Sequence, residues 1–254
     1  MKNRTSTRLF PIEITILASL IVVLSACAAP STEENLVGIS APTEELMAEE
    51  PTPSPEPTDN PFGNWSEYQN DNFGFRFLYP TSWFGPEVSE SEGSLRVEVG
   101  SDQVYPYGTS REDQITSLPD SYYILIQYVE ITEGRSWDDF ISSGWIDTYL
   151  ALQEKEDGQY ILTPRLAATR IGEVKLGEFS GLIYLATLPD TAQTERAYIR
   201  EAVLFDSELN WLRISGFPNL VQIEDPENWK NDYARVDQSY LETFLTTLES
   251  IEFK

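Results

Sequence analysis

From Ala28 to Asn64 the chain reads AAPSTEENLVGISAPTEELMAEEPTPSPEPTDNPFGN, with seven glutamates, one aspartate and no lysine or arginine. Proline at every second position from Pro51 to Pro57 fixes φ and removes backbone donors, and like charges repel, so this stretch cannot collapse into a core. It divides the chain, and whatever packs must pack after it. As a solvated tether its flexible part would span roughly 5 to 6 Å times the square root of its length, and its proline part about 3.1 Å per residue.

What precedes the tether reads as an export leader. Lys2, Arg4 and Arg8 give a basic start, and Ile14 to Ala26 is an uncharged, largely apolar run too short for a comfortable membrane span. The run ends in Leu24-Ser25-Ala26-Cys27, and Cys27 is the only cysteine. That string resembles the lipobox of bacterial lipoproteins, which implies fatty acylation of the Cys27 sulfur and cleavage on its amino side. Two or more acyl chains, at about 0.8 kcal/mol per buried CH₂, anchor a protein stably where one is marginal. The expected organisation is a signal peptide over 1–26, an acidic tether over 27–61 and a folded domain over 62–254. The protein is expected on the extracytoplasmic side of a cell membrane or outer membrane. Ala28 rather than Asp after the cysteine favours outer-membrane retention in a two-membrane cell.

Composition narrows the chemistry. The chain has no histidine, and a lipidated Cys27 leaves no thiol. That excludes Ser-His-Asp and Cys-His catalysis, histidine or thiolate zinc sites and histidine haem ligation, and it requires the domain to stand without disulfides. A domain of this length buries about 70% of the surface its unfolded chain exposes, so a core can supply the stability. The net charge is −25, and removing the leader's charges leaves about −27. Nucleic-acid binding, which needs clustered Lys and Arg, is excluded, and solubility at a crowded cell exterior is the plain reading of the charge. No run matches the calcium-loop pattern, a glycine-rich phosphate loop or a nucleophile elbow. Asp138-Asp139 and Glu224-Asp225 are adjacent carboxylates, but neighbours on a helix diverge and the second pair sits in a proline-interrupted loop. No catalytic, cofactor or metal residues are assigned, and an enzyme is not expected.

The domain opens with an alternation. Phe73, Phe75, Phe77 and Tyr79 share one parity, a strand whose one face is aromatic, with Pro80 as its stop and Trp83 folding back on the same core. Such a row serves either as core or as a carbohydrate platform, and core is favoured because the opposite face is mixed. Leu95, Val97 and Val99 alternate as a half-buried strand, and Tyr122–Ile131 is apolar on both parities, as a central strand requires. Ser136 and Asp139 form a capping box for a helix carrying Trp137, Phe140, Ile141, Trp145, Tyr149 and Leu152 and ending at Gly158. Three or four antiparallel strands follow between Thr169 and Gly216, with turns at Gly177-Glu178 and Asp206-Ser207. A last helix over 232–249 would bury Tyr233, Val236, Tyr240, Leu241, Phe244, Leu245 and Leu248. Two helices and one two-faced sheet imply an α+β fold, an antiparallel sheet flanked by helices as an α/β/α sandwich.

Trp65, Tyr68, Asn70, Gly74-Phe75, Phe77, Tyr79-Pro80 and Trp83, with the closing YLETFLTTLESIEFK, resemble the two ends of PsbP-like domains; the middle shares only element order. The resemblance implies a final helix running into a short strand at Ile251 and Phe253, and a protein that acts by docking onto other proteins. In plastid members that docking serves photosystem II assembly and oxygen evolution, a role that does not carry over. Two functions remain open: a non-catalytic interaction or assembly module with an envelope protein partner, or a lipoprotein holding an apolar or sugar ligand between sheet and helix.

Overall fold

The computed structural model describes residues 64–131, 144–163, 166–188 and 196–253. The leader, the tether, Cys27, the Ser136–Asp139 capping box, Asp138, Trp137, Phe140 and Ile141 lie outside the described residues. No helix among the described residues is long and apolar enough to cross a membrane.

The first two strands, β1 (Trp65–Asn70) and β2 (Phe75–Pro80), form a hairpin. Its turn is closed by Asn70, whose side-chain oxygen accepts from the backbone N–H of Asn72 at 3.0 Å and Phe73 at 3.2 Å, and Gly74 supplies the left-handed φ of +59°. On β2 the alternation holds: Phe75 and Phe77 are fully buried, and the Tyr68 ring lies 5.3 Å from Phe77. Phe73 sits in the turn rather than on the strand, and Pro80 is the strand's last residue rather than its stop. A terminal strand, β11 (Glu252–Phe253), pairs with the other side of β2, giving a three-stranded sheet.

The second sheet has eight strands: β3 (Phe84–Ser91), β4 (Ser94–Gly100), β5 (Ser121–Val129), β6 (Tyr160–Leu162), β7 (Ala167–Leu176), β8 (Phe179–Thr187), β9 (Tyr198–Phe205) and β10 (Trp211–Asn219). Their order is β3-β4-β5-β10-β9-β8-β7-β6, and every pairing is antiparallel. The central position of β5, between β4 and β10, explains why both of its parities are apolar. The Gly177-Glu178 turn joins β7 to β8 as expected. Between β9 and β10 the turn is the longer 206–210 segment, organised by Asp206, which accepts from the N–H of Glu208 and Asn210.

The fold is α+β, built mainly of antiparallel sheet, and it corrects the expectation of a single sheet. β1, β3 and β6 carry too few apolar residues to announce themselves, and the aromatic strand belongs to the small sheet. Register sorts the large sheet's two faces. On one stand Val97, Ile124, Ile126, Leu204, Leu212 and Ile214, closed over by Phe75 and Phe77 of the small sheet and by Val236, Phe244 and Leu248. The last three come from helices α2 (Trp229–Ser239) and α3 (Leu241–Glu249). Gly216 is fixed here by space: a Cβ on it would meet Phe244 Cδ2 at 2.7 Å and the Tyr122 hydroxyl. On the opposite face Leu182, Tyr184, Val203, Phe205 and Trp211 are covered by Tyr149 and Leu152 of helix α1 (Gly144–Gln153).

Both helix expectations need correction. Helix α1 ends at Gln153, before Gly158, because Arg170 of β7 caps it: its guanidinium donates to the carbonyls of Gln153 at 3.3 Å and Lys155 at 2.7 Å. The last helix is two helices broken at Tyr240, which sits outside helical dihedrals at φ −107°, ψ 6°. The Ser239 hydroxyl donates to the Val236 carbonyl at 2.7 Å, the kind of local bond that competes with the helical ladder. Tyr233, Tyr240, Leu241 and Leu245 are consequently only partly buried, and Asp237 takes an interior place that hydrophobic periodicity assigns to no acid.

Candidate binding cleft

β4 and β5 are joined by residues 101–120, a connection far longer than the usual 2–5 residues of a hairpin. It is not slack. The buried Asp102 carboxylate accepts from the backbone N–H of Gln103 at 2.8 Å, Ser117 at 2.8 Å and Leu118 at 3.0 Å, pinning the end of the loop beside its start. Burial pushes this carboxyl up, but the three amide donors outweigh it and hold the group below the usual aspartate value. The Tyr105 hydroxyl donates to the Ile115 carbonyl and accepts from its N–H, both at 2.7 Å. A short helical turn, Arg111–Asp113, is capped by the Ser110 hydroxyl.

The loop roofs one end of the face that carries α1, beyond the reach of that helix. Below it the outward-facing residues of three strands form a floor: Arg96 and Glu98 from β4, Tyr123 from β5, Phe217 and Asn219 from β10. The cleft between has a volume of about 400 Å³. Arg96 is ion-paired to Glu98, and its guanidinium carbon lies 4.7 Å from the centroid of the Tyr107 ring above it. Tyr123 stacks on Phe217 with centroids 5.7 Å apart, and its hydroxyl donates to the Gln103 carbonyl at 3.0 Å. Burial, with the charges of Asp102 and Glu98 behind it, pushes the Tyr123 phenol up to about 12, so it stays a neutral donor. Arg111 also lines the cleft and has no ion-pair partner among the described residues.

Elsewhere ionisable groups are committed inside the protein. Glu201 accepts from Tyr184, from Arg213 and from the Ser215 hydroxyl at 3.3 Å, and Arg213 lies 5.4 Å from the Trp145 ring. Asp237 accepts from Arg200 and Tyr122. Asp232 accepts from the N–H of Glu224 at 3.0 Å and Asp225 at 3.5 Å.

Of the residues singled out in the sequence, the aromatic row of β2 is core and not a platform. Glu224 and Asp225 do not converge: the Asp225 side chain caps the 226–228 turn by accepting from the Glu227 N–H at 3.0 Å. Trp145 packs on Trp211 at 4.9 Å, as core-edge. The cleft was missed, although its signal was present: twenty residues without periodicity between two clear strands, containing Tyr105-Pro106-Tyr107-Gly108.

No family model matches the sequence, and no curated protein matches it. Among solved structures, the solution structure of cyanobacterial PsbP (CyanoP) from Synechocystis aligns with 75% of this chain and 93% of its own, at 13% identity and a TM-score of 0.34. A likeness that loose carries no argument about the site or the function.

Proposed function

We propose that this chain is a lipid-anchored extracytoplasmic module that works by binding, without catalysis, on the end of an acidic tether. The observation that carries the reading is the state of its interior acids. All four buried carboxylates among the described residues, Asp102, Glu201, Asp232 and Asp237, accept hydrogen bonds from fixed donors. Each is occupied in holding a loop, a strand or a helix in place. The domain is PsbP-like with helices on both faces of its large sheet, a reading that rests on the motif strings at its two ends and on the placement of α1, α2 and α3. Anchoring through Cys27 rests on the leader and lipobox strings.

The main reading is docking onto an envelope protein. The cleft favours a second, ligand-holding reading, with the ligand between sheet and loop rather than between sheet and helix. The test is capture from native membranes solubilised in detergent, with the full chain as bait beside Cys27→Ser, together with labelling by a tagged fatty acid. We expect label and membrane association on the parent alone, and one reproducible partner on both baits. Equal fatty-acid labelling of Cys27→Ser, or no partner above a charge-matched control, would overturn the corresponding half of the proposal.

A further inference from the structure

We infer that the cleft under the 101–120 loop is a binding site for a neutral saccharide, an inference that rests on the ligand-holding reading above. Ordering a loop this long costs conformational entropy, usually recovered by burying apolar side chains. Here little is: Val104 is the loop's one fully buried apolar side chain, Tyr107 is 70% exposed and Ile115 77% exposed, and the anchors Asp102 and Tyr105 act by hydrogen bonds to backbone. The loop is held in shape without contributing much core, which is what a recognition loop on a rigid sheet requires.

The chemistry of the cleft selects the ligand class. Its polar groups are planar forks: the Arg96 and Arg111 guanidiniums, the Glu98 carboxylate and the Asn219 amide. The Arg111 guanidinium presents paired donors at the spacing of two adjacent hydroxyls, the Asn219 amide a donor beside an acceptor, and the Arg96–Glu98 pair the N–H groups and carboxylate lone pairs that their own contact leaves over. The Tyr107 ring lies over Arg96 on one side and is open on the other, giving a flat apolar surface for the C–H face of a pyranose. Charge excludes the competing classes. Arg96 and Glu98 cancel each other, Arg111 is followed directly by Glu112 and Asp113, and the chain as a whole carries −25. An anion is repelled on approach, and a cation finds its carboxylate already paired. A volume of about 400 Å³ suits one or two sugar rings.

The test is saturation-transfer NMR on the full chain in a detergent without a sugar headgroup, with cellobiose, maltose and N,N′-diacetylchitobiose as probes. We expect transfer to the ring C–H protons of at least one probe, with a Kd on the order of 1 mM. Tyr107→Ala should weaken binding up to about tenfold; Tyr107→Phe should retain it, as should Tyr160→Ala, an exposed ring on β6. Silence from all three probes would overturn the inference, as would unchanged binding by Tyr107→Ala in a variant with parental circular dichroism. Stronger binding of glucuronate than of the neutral probes would replace it with anion recognition through Arg111. Membrane capture that persists without saccharide binding sinks this inference and leaves the docking proposal standing; the converse sinks docking alone.

Discussion

Arg200 of β9 and Asp237 of α2 meet inside the core, their side chains 10% and 2% exposed, with the Tyr122 hydroxyl donating to the same carboxylate at 3.0 Å. The pair joins the last helices to the centre of the large sheet, and Tyr240, at the helix break, stacks on Tyr122 at 5.0 Å. Taking two charges out of water is repaid only while both are present. Asp237→Ala should therefore cost about 3 to 5 kcal/mol in chemical denaturation, by stranding the guanidinium. The double variant Arg200→Met/Asp237→Leu should regain much of that loss. A double variant no more stable than Asp237→Ala would show that the pair specifies the helix junction in a way apolar packing cannot replace.

Alkaline pH should unfold the domain through its tyrosines. Burial is the main cause that pushes Tyr123 and Tyr198 up to about 12 and Tyr122 and Tyr184 well above the ordinary 10.0. Coulombic repulsion from Asp237 adds to it for Tyr122 and Tyr198, and from Glu201 for Tyr184. The folded chain holds these protons more tightly than the unfolded one. Their stabilisation is present in full below pH 10 and is lost as the pH rises above it, because the unfolded phenols ionise first. Thermal melts should show a midpoint that is steady up to about pH 10 and falls beyond it, with tyrosinate absorbance rising together with unfolding. Tyrosinate absorbance that completes at pH 10 in a still-folded protein would contradict the burial of these rings.

These two networks mark the limit of what the sequence discloses. Strand β4 is legible because Leu95-Val97-Val99 repeats with the period of a pleat, β5 because Tyr122–Ile131 is apolar on both parities, and β7 to β10 because turn residues such as Gly177-Glu178 divide the run. The split into two sheets was not, since β1 and β3 pair through backbone and expose much of their side chains. Nor was the helix break at Tyr240, because Asp237 reads as a surface residue until Arg200, 37 positions earlier, is seen to meet it. The loop over the cleft leaves a signal in the sequence, but the floor does not: Arg96, Tyr123 and Phe217 become neighbours only through the β4-β5-β10 register.

The aromatic row of β2 gives a sharp test of core against platform. Phe75 and Phe77 lie 5.8 Å apart, and Phe75 also meets Phe253 of the terminal strand at 5.3 Å. Truncating either to alanine removes transfer energy and leaves a cavity, a cost of about 3 to 5 kcal/mol. That is enough to unfold much of a marginally stable domain, and urea titrations followed by circular dichroism should show it. Two cooperatively folded variants with parental midpoints would refute the burial of this row.

Asp102 should control the loop without controlling the fold. Its carboxylate serves three backbone amides at the loop's two ends, and the hydrophobic clusters on both sheet faces draw nothing from it. Asp102→Ala leaves the Ser117 and Leu118 amides without their acceptor, a local cost of about 1 to 3 kcal/mol. It falls on loop closure, whose opening exposes backbone but little core. Limited proteolysis should cut the variant between residues 103 and 118 well before the parent, while the thermal midpoint moves only slightly. Acid should mimic the substitution: the carboxyl is held below its ordinary value of 3.8 in the closed form, so closure is secure above that pH and lost as the pH falls below it. If Asp102→Ala instead lowers the global midpoint as much as a Phe77 truncation does, the loop is part of the core's cooperative unit. The same result would remove the argument that its order serves recognition.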